Sequence, residues 1–270
     1  MKILLVKMSS MGDIFHTYPA VSDLKRHFPN AELHWLVEDA FTTIAKWHPD
    51  VNQVISISLR KWLKQRNSAA WNEFISWKQQ FYSSAVYDLV IDAQGLMKSA
   101  IISRCANTKT LHGFDHSSVR EVLASFAYTQ THRVDRNTHT IEQNRLLLAG
   151  ALEYRPTGPA NFGIGGLFKS NEKKTKNILF LIGTSKDEKL WRTERWLELA
   201  EIAINKGFSI ELIWGDKKEK SLALNLKETC SSLMMAKERL SMLEVARKIQ
   251  TASGVVGLDT GFTHLSGAME

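Results

Sequence analysis

One carboxylate closes a run of small polar residues in Lys7-Met8-Ser9-Ser10-Met11-Gly12-Asp13. A turn of this kind, leading from an apolar run into a helical pattern, presents free backbone N–H groups at a helix N-terminus, where anionic or polar substrate groups bind in α/β domains. Asp13 stands at its mouth with two readings open: a proton acceptor facing a ligand, or the N-cap of the helix. Similar polar turns recur at Asp92-Ala93-Gln94-Gly95, Gly183-Thr184-Ser185-Lys186-Asp187, Gly215-Asp216 and Asp259-Thr260-Gly261. Other chemistries lack their residues. No GxGxxG follows a first strand, and GxxxxGK[ST], HExxH and GxSxG are absent. Cys105 and Cys230 stand alone, so free thiols are expected and not a disulfide or metal site. His16, His112, His132, His139 and His264 lack metal-ligand spacing, and no metal role is assigned.

These turns need strands and helices to hold them. Met1–Val6 reads as a strand, and Ile14–His27 has helical periodicity with Pro19 tolerated in its first turns. Strands are expected at Ala31–Val37, Val51–Ser58, Tyr87–Ile91 and Thr110–Phe114, with helices at Ala40–Trp47 and from Leu96. The sequence around Arg60 reads as a charged loop, leading to Trp71, Phe74, Trp77 and Phe81 at helical spacing. A composition break at Arg155-Pro156-Thr157-Gly158-Pro159 marks a linker over 156–176, between domains at 1–155 and 177–270. The rhythm then restarts with strands Asn177–Ile182, Ser209–Trp214, Leu233–Ala236 and Gly254–Leu258. Helices Thr193–Asn205, Lys217–Glu228 and Ser241–Ala252 lie between them, and a last one opens at Gly261. The βαβ rhythm implies parallel, doubly wound sheets: an α/β protein with two Rossmann-like domains facing a cleft, one for a nucleotide-linked donor and one for an acceptor.

The 270 residues are 44% hydrophobic and 23% charged, enough for two cores. Lys and Arg outnumber Asp and Glu by 35 to 28, a net +7 that suits phosphorylated substrates, anionic lipid or nucleic acid. No RNP-like, helix-turn-helix or zinc pattern supports nucleic acid. The run Ile3–Val6 is too short for a signal-peptide core and no stretch is long enough to span a membrane, so the expected location is cytoplasmic.

Five motifs occur together and in order: Lys7–Asp13, Asp92-Ala93-Gln94-Gly95-Leu96-Met97-Lys98-Ser99, Lys189-Leu190-Trp191, Trp214-Gly215 and Asp259-Thr260-Gly261-Phe262-Thr263-His264. Over nearly its whole length the chain resembles the ADP-heptose:lipopolysaccharide heptosyltransferases of glycosyltransferase family 9, above all those that add the first heptose. The resemblance implies the two-domain GT-B architecture and inverting transfer of L-glycero-D-manno-heptose from ADP-heptose to the Kdo of Kdo2-lipid A, with no cofactor and no metal. It implies Asp13 as general base and Lys189 against the donor diphosphate. Thr184 and Ser185 match a hydroxyl pair beside the phosphates, and Asp259, Thr260 and Gly261 the phosphate-facing helix start. Glu219 matches a ribose-binding glutamate and Leu240 an apolar neighbour of adenine. Ser10, Arg60, Lys98 and Arg120 fall on the acceptor side.

Simpler readings stay beside these: Lys189 in a solvated charged run, Glu219 on a helix face with Lys217, Lys218 and Lys220, Asp259 as an N-cap, and the cations near Arg60 as an exposed loop. The expected partners are ADP-heptose, Kdo2-lipid A and the anionic cytoplasmic face of an inner membrane, met by a peripheral monomer without nucleic acid. Alternatives are transfer of a later heptose, or a non-catalytic relative that binds nucleotide or glycolipid. About four strands in the second half are fewer than a doubly wound domain normally has, so the chain is expected to be a C-terminally truncated form, the second domain incomplete and transfer weak.

Overall fold

The computed structural model describes residues 1–168, 174–184 and 187–269, without the side chain of Asp187. In β1 (Lys2–Val6), Ile3 to Val6 are all fully buried. A strand apolar on both faces belongs in the middle of a parallel sheet covered on both sides. β1 lies between β2 (Glu32–Glu38) and β5 (Leu89–Asp92), with Ile3 paired to Leu33 and Leu89.

The helical pattern expected over Ile14–His27 is two helices, α1 (Met11–Phe15) and α2 (Tyr18–His27). Pro19 is the reason: it offers no N–H to Phe15 four residues back, and its ring crowds that carbonyl, so the helix restarts with Thr17 as N-cap. The Thr17 hydroxyl donates back to the Asp13 carbonyl at 2.8 Å. After β2 come a 3-10 turn at Asp39–Phe41, α3 (Thr42–Ala45) and β3 (Gln53–Ile57).

The segment around Arg60 is not a loop. It is α4 (Leu59–Gln65), followed by α5 (Ser68–Ser84). Its helical form follows from burying Leu59 and Trp62, three apart, on one face. Asn67 caps α5 by accepting from the Ala70 N–H at 2.8 Å. The short β4 (Val86–Tyr87) precedes β5 and pairs with β6 (Asn107–Thr108), which follows α6 (Met97–Ser103). β7 (Leu111–Phe114), a 3-10 turn at Val122–Ala127 and β8 (Gln130–His132) complete a parallel sheet ordered β3-β2-β1-β5-β7-β8. α7 (Thr140–Leu152) packs on α2, where buried Arg145 pairs with Asp23 at 2.6 Å and also reaches Glu142.

The chain divides into two compact units, Met1–Gly163 and Ile164–Glu270. The second has a parallel sheet ordered β11-β10-β9-β12 from β9 (Thr175–Leu181), β10 (Ser209–Ile213), β11 (Met234–Met235) and β12 (Ala252–Gly257). Its helices are α8 (Thr193–Asn205), α9 (Lys217–Thr229), α10 (Met242–Thr251) and α11 (Gly261–Ala268). Phe180, Trp196, Ile210, Leu212 and Leu226 form its core. Cys105 and Cys230 are free.

Candidate active site

Each unit gathers its polar groups at the carboxyl ends of its strands, where an open parallel sheet leaves room for a ligand. In the first unit β1 delivers Lys7 and the turn after it delivers Asp13. The N-cap of α1 is Ser10, not Asp13. Asp13 is the third residue of the helix, and its Oδ2 accepts from the Ser10 N–H at 2.8 Å and the Ser10 hydroxyl at 3.0 Å. Oδ1 accepts from none of the described residues. Burial pushes the Asp13 carboxyl up, but Lys7, the two Ser10 donors and Arg120 together hold it below the usual carboxylate range. It is therefore ionised and oriented in advance.

Lys7, Asp13, Gln94, Ser118, Arg120 and Asn144 line one small polar cavity. The turn after β5 shapes its wall. Asp92 is fully buried and accepts from the N–H groups of Gln94 and Gly95, the Ser99 hydroxyl at 2.8 Å and the Tyr128 hydroxyl at 2.9 Å. Burial raises its carboxyl nonetheless. Gly95 turns with φ +67°, and a Cβ there would come within 3.5 Å of the Arg120 backbone nitrogen. That separation is ordinary contact, so it is the left-handed turn that calls for glycine here.

Lys7, Gln94, Ser118 and Asn144 are site residues that the sequence does not single out by role. Lys7 had a readable signal, since a lysine directly following an all-apolar central strand must either be buried or break the sheet. Its ammonium is buried, donates to the Ala93 carbonyl at 2.7 Å, and is pulled down to about 8 by burial, against the opposing charge of Asp13. Arg120 adds to the lowering and Asp92 opposes it. That depression corresponds to a cost of roughly 3 kcal/mol near neutrality. Lys7→Met is therefore expected to raise the urea midpoint of the first unit slightly, the relief being partly offset by about 1–3 kcal/mol for the orphaned Ala93 carbonyl. The penalty is present below pH 8 and recedes as pH rises towards the ordinary lysine value, so the gap to the parent should narrow above pH 8. Side-chain NMR should show the Asp13 titration moving upward. An unchanged midpoint together with an unmoved titration would deny Lys7 this role.

The other acceptor-side candidates lie apart from that cavity. Arg60 donates its backbone N–H to the Glu38 carboxylate at 3.0 Å and lays its guanidinium over Phe41, 5.3 Å from the ring centre. Burial raises the Glu38 carboxyl, while the Arg60 N–H, the Arg60 charge and, more weakly, Lys98 oppose the rise. Arg60 is thus bonded to Glu38, Lys98 acts on that carboxylate only through its charge, and Arg120 alone of the three cations lines the Asp13 cavity.

In the second unit a cavity of about 280 Å³ is lined by Gly183, Thr184, Trp214, Gly215, Glu219 and Thr260, among others. Asp216 caps α9 by accepting from the Glu219 N–H at 2.9 Å, and this sets the helix so that Glu219 turns inward. Lys217 and Lys218 stay exposed. The Glu219 carboxylate accepts from the Gly215 N–H, and a Cβ on Gly183 would sit 2.0 Å from its Oε1. Glu219 is a member of the cavity and not of a solvated face. The Thr184 hydroxyl is buried beside it without a partner among the described residues.

Thr260, not Asp259, is the N-cap of α11. The Asp259 carboxylate is bonded to the Lys189 ammonium and, at 3.1 Å, to His264 Nε2. The Lys189 bond is the main cause holding that carboxyl below its ordinary range. Lys189 is thereby tied to Asp259, the residue before the N-cap of α11, and like Asp259 and Gly261 it lies outside the cavity lining itself. Leu240 lies outside the cavity lining. Ser185 lies outside the described residues. Among those residues no three His, Cys, Asp or Glu side chains gather as a metal site.

The sequence profile of glycosyltransferase family 9 (heptosyltransferase) matches residues 78–270, more than half of the chain. The chain belongs to that family. Lipopolysaccharide heptosyltransferase 1 of Salmonella typhimurium is 36% identical over 274 residues, which span 100% of this chain and 86% of the relative. Its Pseudomonas aeruginosa counterpart is 36% identical across the whole chain and 76% of its own length. The solved structure of Escherichia coli heptosyltransferase WaaC with ADP-2-deoxy-2-fluoro heptose superposes with a TM-score of 0.92 at 35% identity, covering 100% of this chain and 86% of that one. Heptosyltransferase II of Escherichia coli, at 17% identity and a TM-score of 0.74, shares the fold. The α/β architecture of the family 9 enzymes, GT-B in type, is that of this glycosyltransferase.

Proposed function

We propose that this chain is an inverting heptosyltransferase that moves L-glycero-D-manno-heptose from ADP-heptose to the Kdo of Kdo2-lipid A. The observation that carries the reading is the second-unit cavity lined by Glu219, Thr184 and Thr260, with the Lys189–Asp259 pair at the residue just before Thr260. Glu219 would accept from ribose hydroxyls, its carboxylate being already turned inward. Thr184, Thr260 and the opening N–H groups of α11 would meet phosphate oxygens, with Gly261 allowing close approach. Asp259 would hold Lys189 in place and leave the phosphates to the ammonium.

The acceptor hydroxyl oxygen attacks the anomeric carbon while its proton passes to Asp13. The bond from that carbon to the phosphate oxygen breaks from the opposite face, and the electron pair leaves on ADP, where Lys189 offsets the new charge. Ser10 holds Asp13, and Arg120 would meet an acidic group of the acceptor beside it. Arg60 and Lys98 would bind acceptor charge further out. Work at a membrane follows from a lipid-borne acceptor; the cytoplasmic face is part of the same proposal, and the net charge of +7 favours an anionic surface.

The test is transfer by the purified protein, followed as ADP or UDP release and by mass spectrometry of the acceptor, with ADP-heptose beside UDP-sugars. Heptose added to Kdo from the ADP donor alone is expected. Transfer only to an acceptor that already carries heptose would assign a later step, and binding without release would make the chain a non-catalytic relative.

A further inference from the structure

A groove of about 550 Å³ opens between α4, α5 and α6, with Leu59, Trp62, Trp71, Phe74, Ile101 and Ile102 in its walls. It is separate from the Asp13 cavity. Its aromatic rings support one another: Trp71 lies 5.6 Å from Phe74, Phe74 lies 5.7 Å from Trp62, and Trp77 stacks on Phe81 at 4.8 Å. Buried Phe81 roots this ladder in the core, and the outer end is Trp71, which is 62% exposed. Leu63 is 54% and Ile101 55% exposed. The 3-10 turn at Val122–Ala127 packs on α6 and adds Leu123 at 65% and Phe126 at 77%. An apolar side chain exposed singly is ordinary, but several on adjoining elements mark an interaction surface.

The charges around them say which surface it meets. Arg60 and Lys64 on α4, Arg66 just after it and Lys98 on α6 are all exposed. Of the acids beside them, Glu73 is taken up by Lys61 and the Trp62 indole, both at 2.8 Å, and exposed Glu121 accepts from the Met97 N–H at the start of α6 at 2.6 Å. An apolar centre with a cationic rim suits a bilayer of anionic phospholipid. Lysine and arginine stems lie along the apolar region while their heads reach phosphate, and tryptophan settles at the boundary. Among the described residues no helix is long and apolar enough to cross a membrane. Contact by this face needs none.

We propose that the outer face of α4, α5, α6 and the 122–127 turn lies on an anionic phospholipid bilayer, with Leu63, Trp71, Ile101 and Phe126 entering its interface. The inference deepens the glycolipid-acceptor reading and rests on it for its purpose, since an acceptor held in a bilayer has to be met there. The first unit would then sit with the α4–α6 face down, and Arg60 and Lys98 at headgroup level.

The test is flotation of the whole chain with vesicles of phosphatidylcholine, alone or with phosphatidylglycerol. Two double variants, Leu63→Ser with Trp71→Ser and Ile101→Ser with Phe126→Ser, are compared with the parent after circular dichroism confirms their helix content. The parent should float with the anionic vesicles, and each double variant should partition about tenfold less or weaker still. Both variants should turn over a deacylated, water-soluble acceptor at the parent rate. A parent that does not float, or variants that float as it does, would overturn the proposal. Loss of flotation in the variants with no turnover on any acceptor, parent included, would uphold the surface and remove the transferase reading.

Discussion

Asp13→Asn is expected to lower heptose transfer by about 10²–10⁴-fold while ADP-heptose binding and the fold are kept. The amide oxygen of asparagine can still accept from the Ser10 N–H and hydroxyl, so the start of α1 is preserved and only its charge-assisted part is weakened. What disappears is a site able to take the proton. Because Asp13 is the third residue of the helix and Ser10 its cap, a loss of activity far larger than the small accompanying loss of stability separates the base from a purely structural role. The pH dependence gives a second signature. With its folded-state carboxyl held below the ordinary range, Asp13 stays ionised below the usual carboxylate titration, and the acid limb of kcat/KM should lie beneath the ordinary aspartate value. The same group contributes stability that is present above the unfolded carboxylate value and is lost as pH falls through the folded one. Near-parent transfer by the asparagine enzyme would return Asp13 to helix capping alone.

What could be read without coordinates depended on how local the cause was. β1, β5 and the end of β9 from Leu179 are short apolar runs because both of their faces are covered, and such runs show directly in the sequence. The division of Ile14–His27 was written in Pro19, but its effect on the carbonyl of Phe15 is seen only once the helix register is fixed. The Arg60 segment looks like a charged loop because its cations outnumber its apolar residues. Leu59 and Trp62 alone, three apart, show the buried face that makes it α4. α7 gives little periodic signal because Leu146, Leu147 and Leu148 are consecutive, and the first is exposed while the next two are buried.

The candidate residues divide in the same way. Asp13 and Thr260 lie in turns whose chemistry is local. Glu219 stands among lysines, and only the Asp216 cap and the bare surfaces of Gly183 and Gly215 turn it inward. Those two glycines end strands and are visible in sequence; the direction of the glutamate is not. The bond from the Arg60 N–H to Glu38 joins the ends of two separate βα units, which no spacing along the chain encodes. Lys7 is the reverse case. Its position after β1 was plain, but the depression of its charge needs the Ala93 carbonyl, Asp13, Arg120 and Asp92 in space.

Lys189→Ala is expected to cut transfer by about 10²–10³-fold, the usual loss when a preorganised group facing transition-state charge is removed. Stability should hardly move. The Lys189 and Asp259 side chains are 35% and 58% exposed, and exposed ion pairs contribute about 0–1 kcal/mol. The fold therefore has little need of a lysine here, whereas a departing diphosphate has great need of one. The variant also changes Asp259, whose carboxylate keeps His264 but loses the ammonium that mainly depresses it. That carboxylate would then face the phosphates beside Thr260 and repel them, so the donor should bind more weakly as well as react more slowly. A second substitution discriminates between these losses. Asp259→Asn in the Lys189→Ala background should recover part of the donor affinity without recovering turnover, because it removes repulsion but supplies no positive charge. Lys217→Ala, at an exposed lysine on α9, serves as the control and should stay within a few-fold of the parent. Equal small losses from Lys189→Ala and Lys217→Ala would place Lys189 back in the solvated charged run. Recovery of full turnover in the double variant would show that Lys189 does no more than neutralise Asp259.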